Sequence, residues 1–246
     1  MNSLIYLPQC SSTQDEIIDF INSNHLEEDF IAVYTFNQTN GRGQYGNIWE
    51  NYPNENLAYS FAIKTKNIFC SDILFNYYTA IVVRDFIANL TKTEVKIKWP
   101  NDLVIGNLKL GGILIETVRQ ESKTVAIIGI GINFMAPKSM KQATSIQAAS
   151  SHLSLTADDV LESLLSELGM LLPQFERNGF TPLLVDYEEA NRDTDYNVRL
   201  LHNNQLFAEG RVIGVTAQGA LRLATPIGER EIVSGEISLR RDSEPK

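Results

Sequence analysis

The chain has 246 residues, of which 21 are basic and 30 are acidic, so its net charge at neutral pH is −9. This balance argues against a protein that binds nucleic acid, because such proteins carry clustered lysine and arginine. An apolar content of 43% without any run of ~20 apolar residues predicts a soluble globular protein with no membrane span. The start of the chain has no secretory signal pattern, so we expect a cytoplasmic protein whose Cys10 and Cys70 are reduced core thiols.

Five segments in the first 134 residues have the composition of strands. They are rich in β-branched and aromatic residues, and they cover Phe30–Phe36, Leu57–Lys64, Val95–Trp99, Ile113–Val118 and Val125–Phe134. The last segment is almost wholly apolar, which predicts a central strand.

Three segments have helical spacing of their apolar residues. The first runs from a cap at Ser12 or Thr13 to Asn22, and the second covers Asp72–Leu90. The third covers Ala157–Glu176 and follows a predicted cap at Thr156. Asp158, Asp159, Glu188 and Glu189 are predicted to lie on solvated helix faces or in a linker and are assigned no role.

The end of the chain differs in charge and in pattern. Residues 1–193 carry 14 basic and 23 acidic residues, whereas residues 194–246 carry seven of each, which predicts a domain boundary close to residue 193. Short strand-like segments follow with no helix between them, at Asn197–Leu201, Phe207–Val215, Leu221–Ala224 and Arg230–Val233. This spacing predicts a small β-barrel after an α/β or α+β domain.

A glycine-rich segment, residues 38–49, is the first candidate for chemistry. Three glycines surround Arg42, so backbone N–H groups can turn toward an anion while Arg42 adds a charged donor. Trp49 offers a flat face on which a purine could stack. An ordinary surface turn before a core tryptophan is the alternative interpretation, and this segment alone does not decide between them.

A second cluster lies between residues 96 and 116. Lys98 precedes a turn that carries Asn101 and Asp102, and the returning chain brings Lys109 beside two glycines. A cluster of two lysines, a carboxylate and backbone free of side chains is better suited to bind a polyphosphate with Mg²⁺ than to act as a hydrolytic triad. Solvated lysines on an edge strand would explain one of these residues but not the whole cluster. The chain has no phosphate-loop motif and no nucleophile elbow, and its three histidines are scattered.

Together these segments resemble the biotin–protein ligases, that is, the biotin–[acetyl-CoA-carboxylase] ligase family. The resemblance runs in order from about residue 5 to residue 241. Its pieces are Ser12-Thr13, Gln38 with Gly41-Arg42-Gly43 and Trp49, Lys98-Trp99-Pro100-Asn101-Asp102-Leu103, Lys109-Leu110 with Gly112-Ile113-Leu114 and Glu116, Gly129-Ile130-Gly131-Ile132-Asn133, and Gly235-Glu236-Ile237-Ser238-Leu239-Arg240.

The resemblance implies a fold and a reaction. The fold is α+β: a mixed-sheet catalytic domain with packed helices over residues 1–190, then a small SH3-like β-barrel over residues 194–246. The reaction joins biotin and ATP, supplied with Mg²⁺ as a substrate complex, into biotinyl-5′-AMP. Biotin then passes to a lysine of a biotin carboxyl carrier protein, and no tightly bound cofactor is needed. The resemblance also implies a protein that is a monomer or a homodimer.

The resemblance also assigns roles to residues of this chain. It implies that Lys109 and Arg42 are catalytic and that Asp102 holds Mg²⁺. The implied biotin-binding residues are Ser12, Thr13, Gln38, Arg42, Gly43, Gln44, Lys109, Gly111 and Gly112. The implied ATP-binding residues are Trp49, Lys98, Asn101, Asn133, Glu236 and Arg240.

The chain departs from the family pattern at Gln44, where the best-known motif reads Gly-Arg-Gly-Arg. Glutamine cannot neutralise phosphate charge, so we expect biotinyl-AMP to escape faster than from a homologue with arginine. The pattern also starts almost at Met1 and leaves no room for a DNA-binding domain, so we expect an enzyme only.

Two other functions are alternatives. A lipoate- or octanoate-protein ligase resembles the same fold, although the Lys-Trp-Pro-Asn-Asp segment and the barrel tail favour biotin. A non-catalytic biotin-binding protein would not need Arg42, Lys98, Asp102 and Lys109.

Overall fold

A computed structural model describes residues 3–23, 30–50, 52–65, 72–120, 123–135, 142–150, 157–233 and 237–242. The strands up to residue 133 are β1 (Ser3–Tyr6), β2 (Phe30–Thr35), β3 (Gly41–Arg42), β4 (Ile48–Trp49), β5 (Asn56–Thr65), β6 (Lys96–Lys98), β7 (Asp102–Ile105), β8 (Leu108–Gln120) and β9 (Lys123–Asn133). Seven of them form one sheet in the order β1-β2-β5-β9-β8-β7-β6. Strand β9 is in the middle, as its apolar sequence predicts, and only β1 and β2 pair in parallel, so the sheet is mixed.

Helices cover both faces of this sheet. They are α1 (Thr13–Ser23), α2 (Asp72–Thr91), α3 (Ile146–Ala149), α4 (Ala157–Asn178) and α5 (Leu184–Ala190). Ile17 and Ile21 of α1 pack on one face against Ile31, Val33 and Ile127. The larger core, with α2 and α4, occupies the other face. No helix in the described ranges is both long and apolar enough to cross a membrane.

The C-terminal strands form a second, antiparallel sheet. They are β10 (Asn197–His202), β11 (Gln205–Val215), β12 (Leu221–Thr225), β13 (Gly228–Ile232) and β14 (Ile237–Arg241), in the order β13-β12-β11-β10-β14. This confirms the predicted all-β tail, while its closure into a barrel stays a prediction. The cap predicted at Thr156 lies outside the described residues, as does Cys70. Cys10 is a buried free thiol.

The segment between the sheets is packed rather than solvated. The carboxylate of Glu188 accepts a hydrogen bond from the backbone N–H of Val215 at 3.0 Å, so the prediction of a solvated glutamate was wrong for this residue. Asp193 is 0% exposed and accepts hydrogen bonds from Arg192 and Arg241. The C-terminal sheet is therefore joined to the rest of the chain through buried polar contacts.

Candidate active site

A cavity of about 460 Å³ opens between the large sheet, the glycine-rich segment and strand β14. Its floor is formed by β5, β8 and β9, where residues 58–60, 112–114 and 129–131 line it. Residues 42–45 and 47–49 form a wall, and residues 237–240 close it from the C-terminal sheet. The two polar clusters that the sequence singled out therefore meet in one space.

One end of the cavity is a network of uncharged polar groups at the start of α1. The backbone N–H of Thr13 donates to the side-chain oxygen of Gln38 at 2.8 Å, and the hydroxyls of Thr13 and Ser60 lie 2.8 Å apart. Ser60 in turn donates to the side-chain oxygen of Gln14 at 3.0 Å. Gln38 is held in place because its backbone forms a β-bridge with Cys10.

Ser12 has an unused hydroxyl at this end. The residue is 1% exposed and lines the cavity, and its Oγ atom has no hydrogen-bond partner. The sequence predicted that Ser12 or Thr13 would cap α1 with a side chain. The Ser12 hydroxyl makes no such bond, and Thr13 uses its hydroxyl toward Gln38 and Ser60. A buried hydroxyl without a partner costs about 1–3 kcal/mol, so this end of the cavity is suited to a polar ligand.

The other end of the cavity is charged. The ammonium group of Lys109 lies 2.6 Å from the carboxylate of Asp102 and 5.4 Å from the centre of the Trp49 ring. Antiparallel pairing aligns Asp102 of β7 with Lys98 on one side and with Gly112 on the other, and it pairs Lys109 with Val104 of the same strand β7. Lys98 also lines the cavity, so two lysines and one carboxylate face the same space.

Trp49 lies flat against backbone that has no side chains. A Cβ atom built on Gly131 would approach Cε2 of the Trp49 ring to 2.5 Å, and one on Gly112 would approach Cζ3 to 3.3 Å. Any residue other than glycine at 131 would displace the ring. The indole N–H is buried and has no partner, so it is available to a ligand.

The glycine-rich segment folds as a small ribbon with a tight turn. Strands β3 and β4 pair Gly41 with Trp49 and Arg42 with Ile48, and a 3₁₀ turn at Gln44–Gly46 lies between them. Tyr45 and Gly46 both have positive φ, at 56° and 76°. Arg42 lines the cavity, but its guanidinium donates to Asp15 at 2.5 Å and to Glu116 at 2.6 Å.

The charge on Arg42 is firmly fixed by these contacts. Desolvation lowers the pKa of Arg42, but the hydrogen bonds and charges of Glu116 and Asp15 outweigh it and raise the pKa above the ordinary value. Arg42 is therefore a cation shared between two carboxylates at the edge of the cavity.

Most residues with a predicted role line this cavity. They are Ser12, Thr13, Gln38, Arg42, Gly43, Gln44, Trp49, Lys98, Asn101, Asp102, Lys109, Gly112 and Arg240. Two lie elsewhere. A Cβ atom on Gly111 would approach the carbonyl oxygen of Gly131 to 2.7 Å, and Asn133 is buried, where it donates to the backbone oxygen of Lys109 at 3.2 Å. Gly111 and Asn133 thus help to position strand β8 and its residue Lys109. Glu236 lies outside the described residues.

Sequence reasoning missed several lining residues. Gln14 follows the Ser12-Thr13 pair directly, and Ser60 is the one serine within the otherwise apolar and aromatic run Leu57–Ile63, which is a usable signal. Asn203 and Ser238 come from the C-terminal sheet, and their approach to the cavity depends on how the two sheets pack.

Two family models match this chain. The Biotin/lipoate A/B protein ligase family matches residues 6–133, and the Biotin protein ligase C terminal domain matches residues 197–240. The bifunctional ligase/repressor BirA of Escherichia coli is 30% identical over 244 residues, which is 97% of this chain and 74% of that protein. The biotin–[acetyl-CoA-carboxylase] ligase of Mycobacterium tuberculosis is 26% identical over 83% of this chain and 76% of its own length.

A solved structure is similar over nearly the whole chain. It is the biotin protein ligase from Aquifex aeolicus in complex with biotin and ATP, which is 25% identical, with a TM-score of 0.81 over 98% of this chain and 99% of that one. The predicted mixed-sheet domain with packed helices, followed by an all-β domain, is thereby confirmed. Because the first family model spans more than half of the sequence and a relative of 30% identity aligns along almost all of it, the chain belongs to the Biotin/lipoate A/B protein ligase family.

Proposed function

We propose that the chain is an ATP-dependent ligase that activates biotin as biotinyl-5′-AMP and transfers it to a lysine of a biotin carboxyl carrier protein. The observation that carries this proposal is a single cavity with a buried, uncharged polar end and a cationic end. A bicyclic urea with a carboxylate tail matches this division, since its ring needs hydrogen bonds and its carboxylate must meet ATP. The named relatives and the Aquifex aeolicus complex support the same function.

In the first step, a carboxylate oxygen of biotin attacks the α-phosphorus of ATP, and the bond from that phosphorus to the pyrophosphate oxygen breaks. In the second, the unprotonated lysine amine attacks the acyl carbon. An amide bond forms, its nitrogen releases one proton to solvent, and AMP leaves with the electron pair of the acyl–oxygen bond. Neither step needs a protein nucleophile, so the enzyme acts by positioning and by charge stabilisation.

The uncharged end takes the ring of biotin. The N–H and C=O groups of the ureido ring form hydrogen bonds with the hydroxyls of Ser12 and Thr13 and with the amide of Gln38. Gln14 and Ser60 hold this set in place through their hydrogen bonds. A dithiolane ring or an octanoyl chain would leave these buried groups without partners, which is a strong basis for rejection. This favours biotin over lipoate and octanoate.

The charged end takes ATP. Lys109 and Lys98 stabilise charge on the phosphates, Trp49 stacks with adenine, and Asn101 and Arg240 contact the nucleotide. Gly43 and Gln44 cover biotin together with Arg42. Each of these roles is inferred from the position of the residue on the cavity and from the family pattern.

Mg²⁺ enters as part of the substrate complex with ATP. One carboxylate, Asp102, faces the charged end, and the described residues contain no group of three or more metal-binding side chains. This fits Mg²⁺, which keeps several waters and binds through one or two carboxylates and the phosphates of a nucleotide. Asp102 would hold the ion through its carboxylate, and Lys109, which pairs with Asp102 in this structure, would then contact the phosphate.

The test is transfer of biotin to a purified carrier domain, followed by intact mass. With biotin and MgATP, the wild-type protein is expected to add one biotinyl group to the domain. In Lys109→Met the rate is expected to fall about 10²–10³-fold, because one charged donor to the transition state is lost. A carrier domain whose acceptor lysine is replaced by arginine is the control. Unchanged transfer in Lys109→Met would contradict the assignment of Lys109.

A further inference from the structure

Strand β6 and the turn that follows it carry three residues that line the candidate active site, Lys98, Asn101 and Asp102. Strand β6 is the last strand of its sheet and pairs there with one strand, β7. Asn101 is also tied to β8, since its side-chain amide donates to the carbonyl oxygen of Ile113 at 2.9 Å. Lys98 ends β6 on the other side of the turn, so its position depends on how the next residue, Trp99, is held.

Trp99 is held by a buried hydrogen bond to helix α2. The residue is 2% exposed, and its indole N–H donates to the hydroxyl of Tyr77 at 2.8 Å. That hydroxyl in turn donates to the carbonyl oxygen of Gly219, in the turn between β11 and β12, at 2.9 Å. One hydroxyl group therefore joins the strand end beside Lys98, helix α2 and the C-terminal sheet.

Packing fixes the position of this hydroxyl group. The Tyr77 ring is fully buried and stacks on Tyr187 of α5 with the ring centres 4.0 Å apart, and the ring of Phe180 lies 5.4 Å away. Burial raises the pKa of the Tyr77 hydroxyl above its ordinary value, so the group stays protonated and can donate. Gly219 has a φ of 89°, and a Cβ atom built on it would approach Cγ2 of Ile73 to 2.6 Å. The turn that accepts the hydrogen bond is therefore packed closely on α2.

We propose that Tyr77 is a positioning residue for the nucleotide end of the candidate active site. Its hydroxyl holds Trp99, and through Trp99 it sets the position of Lys98 toward the phosphates of ATP. This inference rests on the proposed function, which assigns the charged end of the cavity to ATP. Tyr77 is not among the residues that line the cavity, so it acts through its neighbours and not on the reacting atoms. Its effect is on the binding of MgATP and not on the binding of biotin at the uncharged end.

Tyr77→Phe tests this role because it removes the hydroxyl group and keeps the stacked ring. We expect the MgATP concentration that gives half-maximal exchange of pyrophosphate into ATP to rise about five- to tenfold, the effect of losing one hydrogen bond. The biotin concentration that gives half-maximal exchange is expected to stay within about twofold of the wild-type value, because the biotin ring binds at the other end of the cavity.

Tyr78→Phe is the matched control. Tyr78 is the next residue of α2 and is 2% exposed, and its hydroxyl donates to the backbone oxygen of Leu168 in α4 at 2.8 Å. The control removes the same atom and the same kind of bond from the same helix, but it leaves the bond to Trp99 intact. Both variants are expected to lower the melting temperature, because each leaves a buried backbone oxygen without its donor. Only Tyr77→Phe is expected to change the MgATP requirement.

A second measurement tests whether Tyr77 acts through Lys98. Lys98→Met removes the ammonium group that Tyr77 is proposed to position. In the Lys98→Met background, Tyr77→Phe is therefore expected to change the MgATP requirement by less than about twofold, since residues that act through one another are not additive.

The outcomes separate this inference from the proposed function. A raised MgATP requirement in Tyr77→Phe, absent from Tyr78→Phe and from the Lys98→Met background, supports the positioning role. Equal MgATP requirements in Tyr77→Phe and Tyr78→Phe overturn it, and so does a rise of the same size with and without Lys98, or an equal rise in the biotin requirement. Absence of exchange with biotin in the wild-type protein would instead contradict the proposed function itself.

Discussion

Gln44 lies in the 3₁₀ turn of the glycine-rich segment, where the family pattern has arginine. Its backbone oxygen accepts two hydrogen bonds from Asn47, from the main-chain N–H at 3.1 Å and the side-chain amide at 2.9 Å, while its side chain lines the candidate active site. The turn is thus built by backbone groups and does not depend on the side chain at position 44. Arginine can be introduced there without loss of the turn.

We predict that Gln44→Arg slows the escape of biotinyl-AMP about tenfold or more, because a charged donor to phosphate is stronger than a neutral one. The rate is measured by loss of radiolabelled adenylate from the enzyme after dilution into unlabelled ligand. Gln218→Arg, which adds the same charge at an exposed turn in the C-terminal sheet, is the control. Equal dissociation rates in the wild type and in Gln44→Arg would show that position 44 does not retain the intermediate.

At the scale of single elements, the long strands and helices were predictable, whereas only some of the short elements were. Strand β9 and helix α2 bury most of their residues, and their apolar patterns are correspondingly clear. Strand β8 begins at Leu108, five residues before the prediction, because Gly111 and Gly112 hide its strand character. Pairing with β7 and β9 holds the backbone extended at these two glycines, which have little strand preference of their own.

Other elements form because of tertiary contacts and have no clear local pattern in the sequence. Strand β1 has four residues and α5 has seven, and neither gave a periodic signal in the sequence. The position of Arg42 is a similar case. Its partners Asp15 and Glu116 are 27 and 74 residues away along the chain, so only the folded structure brings them together. The sequence predicted many of the residues that line the cavity but not how their charges pair.

At the scale of the whole molecule, one buried carboxylate joins the two sheets next to the cavity. Asp193 accepts from Arg241 at 2.8 Å, while the preceding residue of β14, Arg240, lines the cavity on the other side of the strand. The backbone N–H of Arg192 donates to the carbonyl of Ile97, in the strand that also carries Lys98. Asp193 and its neighbour Arg192 therefore help to position strands β14 and β6, on which Arg240 and Lys98 line the cavity.

We predict that Asp193→Asn lowers the free energy of unfolding by about 3–5 kcal/mol, because the buried ion pairs of Asp193 with Arg192 and Arg241 are broken. Urea denaturation followed by fluorescence measures this change. Asp195→Asn is the control, since Asp195 forms an exposed ion pair with Arg211, and its loss is expected to cost about 1 kcal/mol or less. Equal stability of the two variants would show that the Asp193 cluster does not hold the sheets together.

The central claim is that one cavity selects biotin at its uncharged end and activates it at its charged end. Exchange of radiolabelled pyrophosphate into ATP, measured with MgATP and either biotin, lipoate or octanoate, tests this claim most directly. We predict exchange with biotin alone, and we predict that Ser12→Ala weakens the dependence on biotin while Lys109→Met removes the exchange. Exchange driven by lipoate or octanoate, or tight binding of biotin without any exchange, would contradict the account.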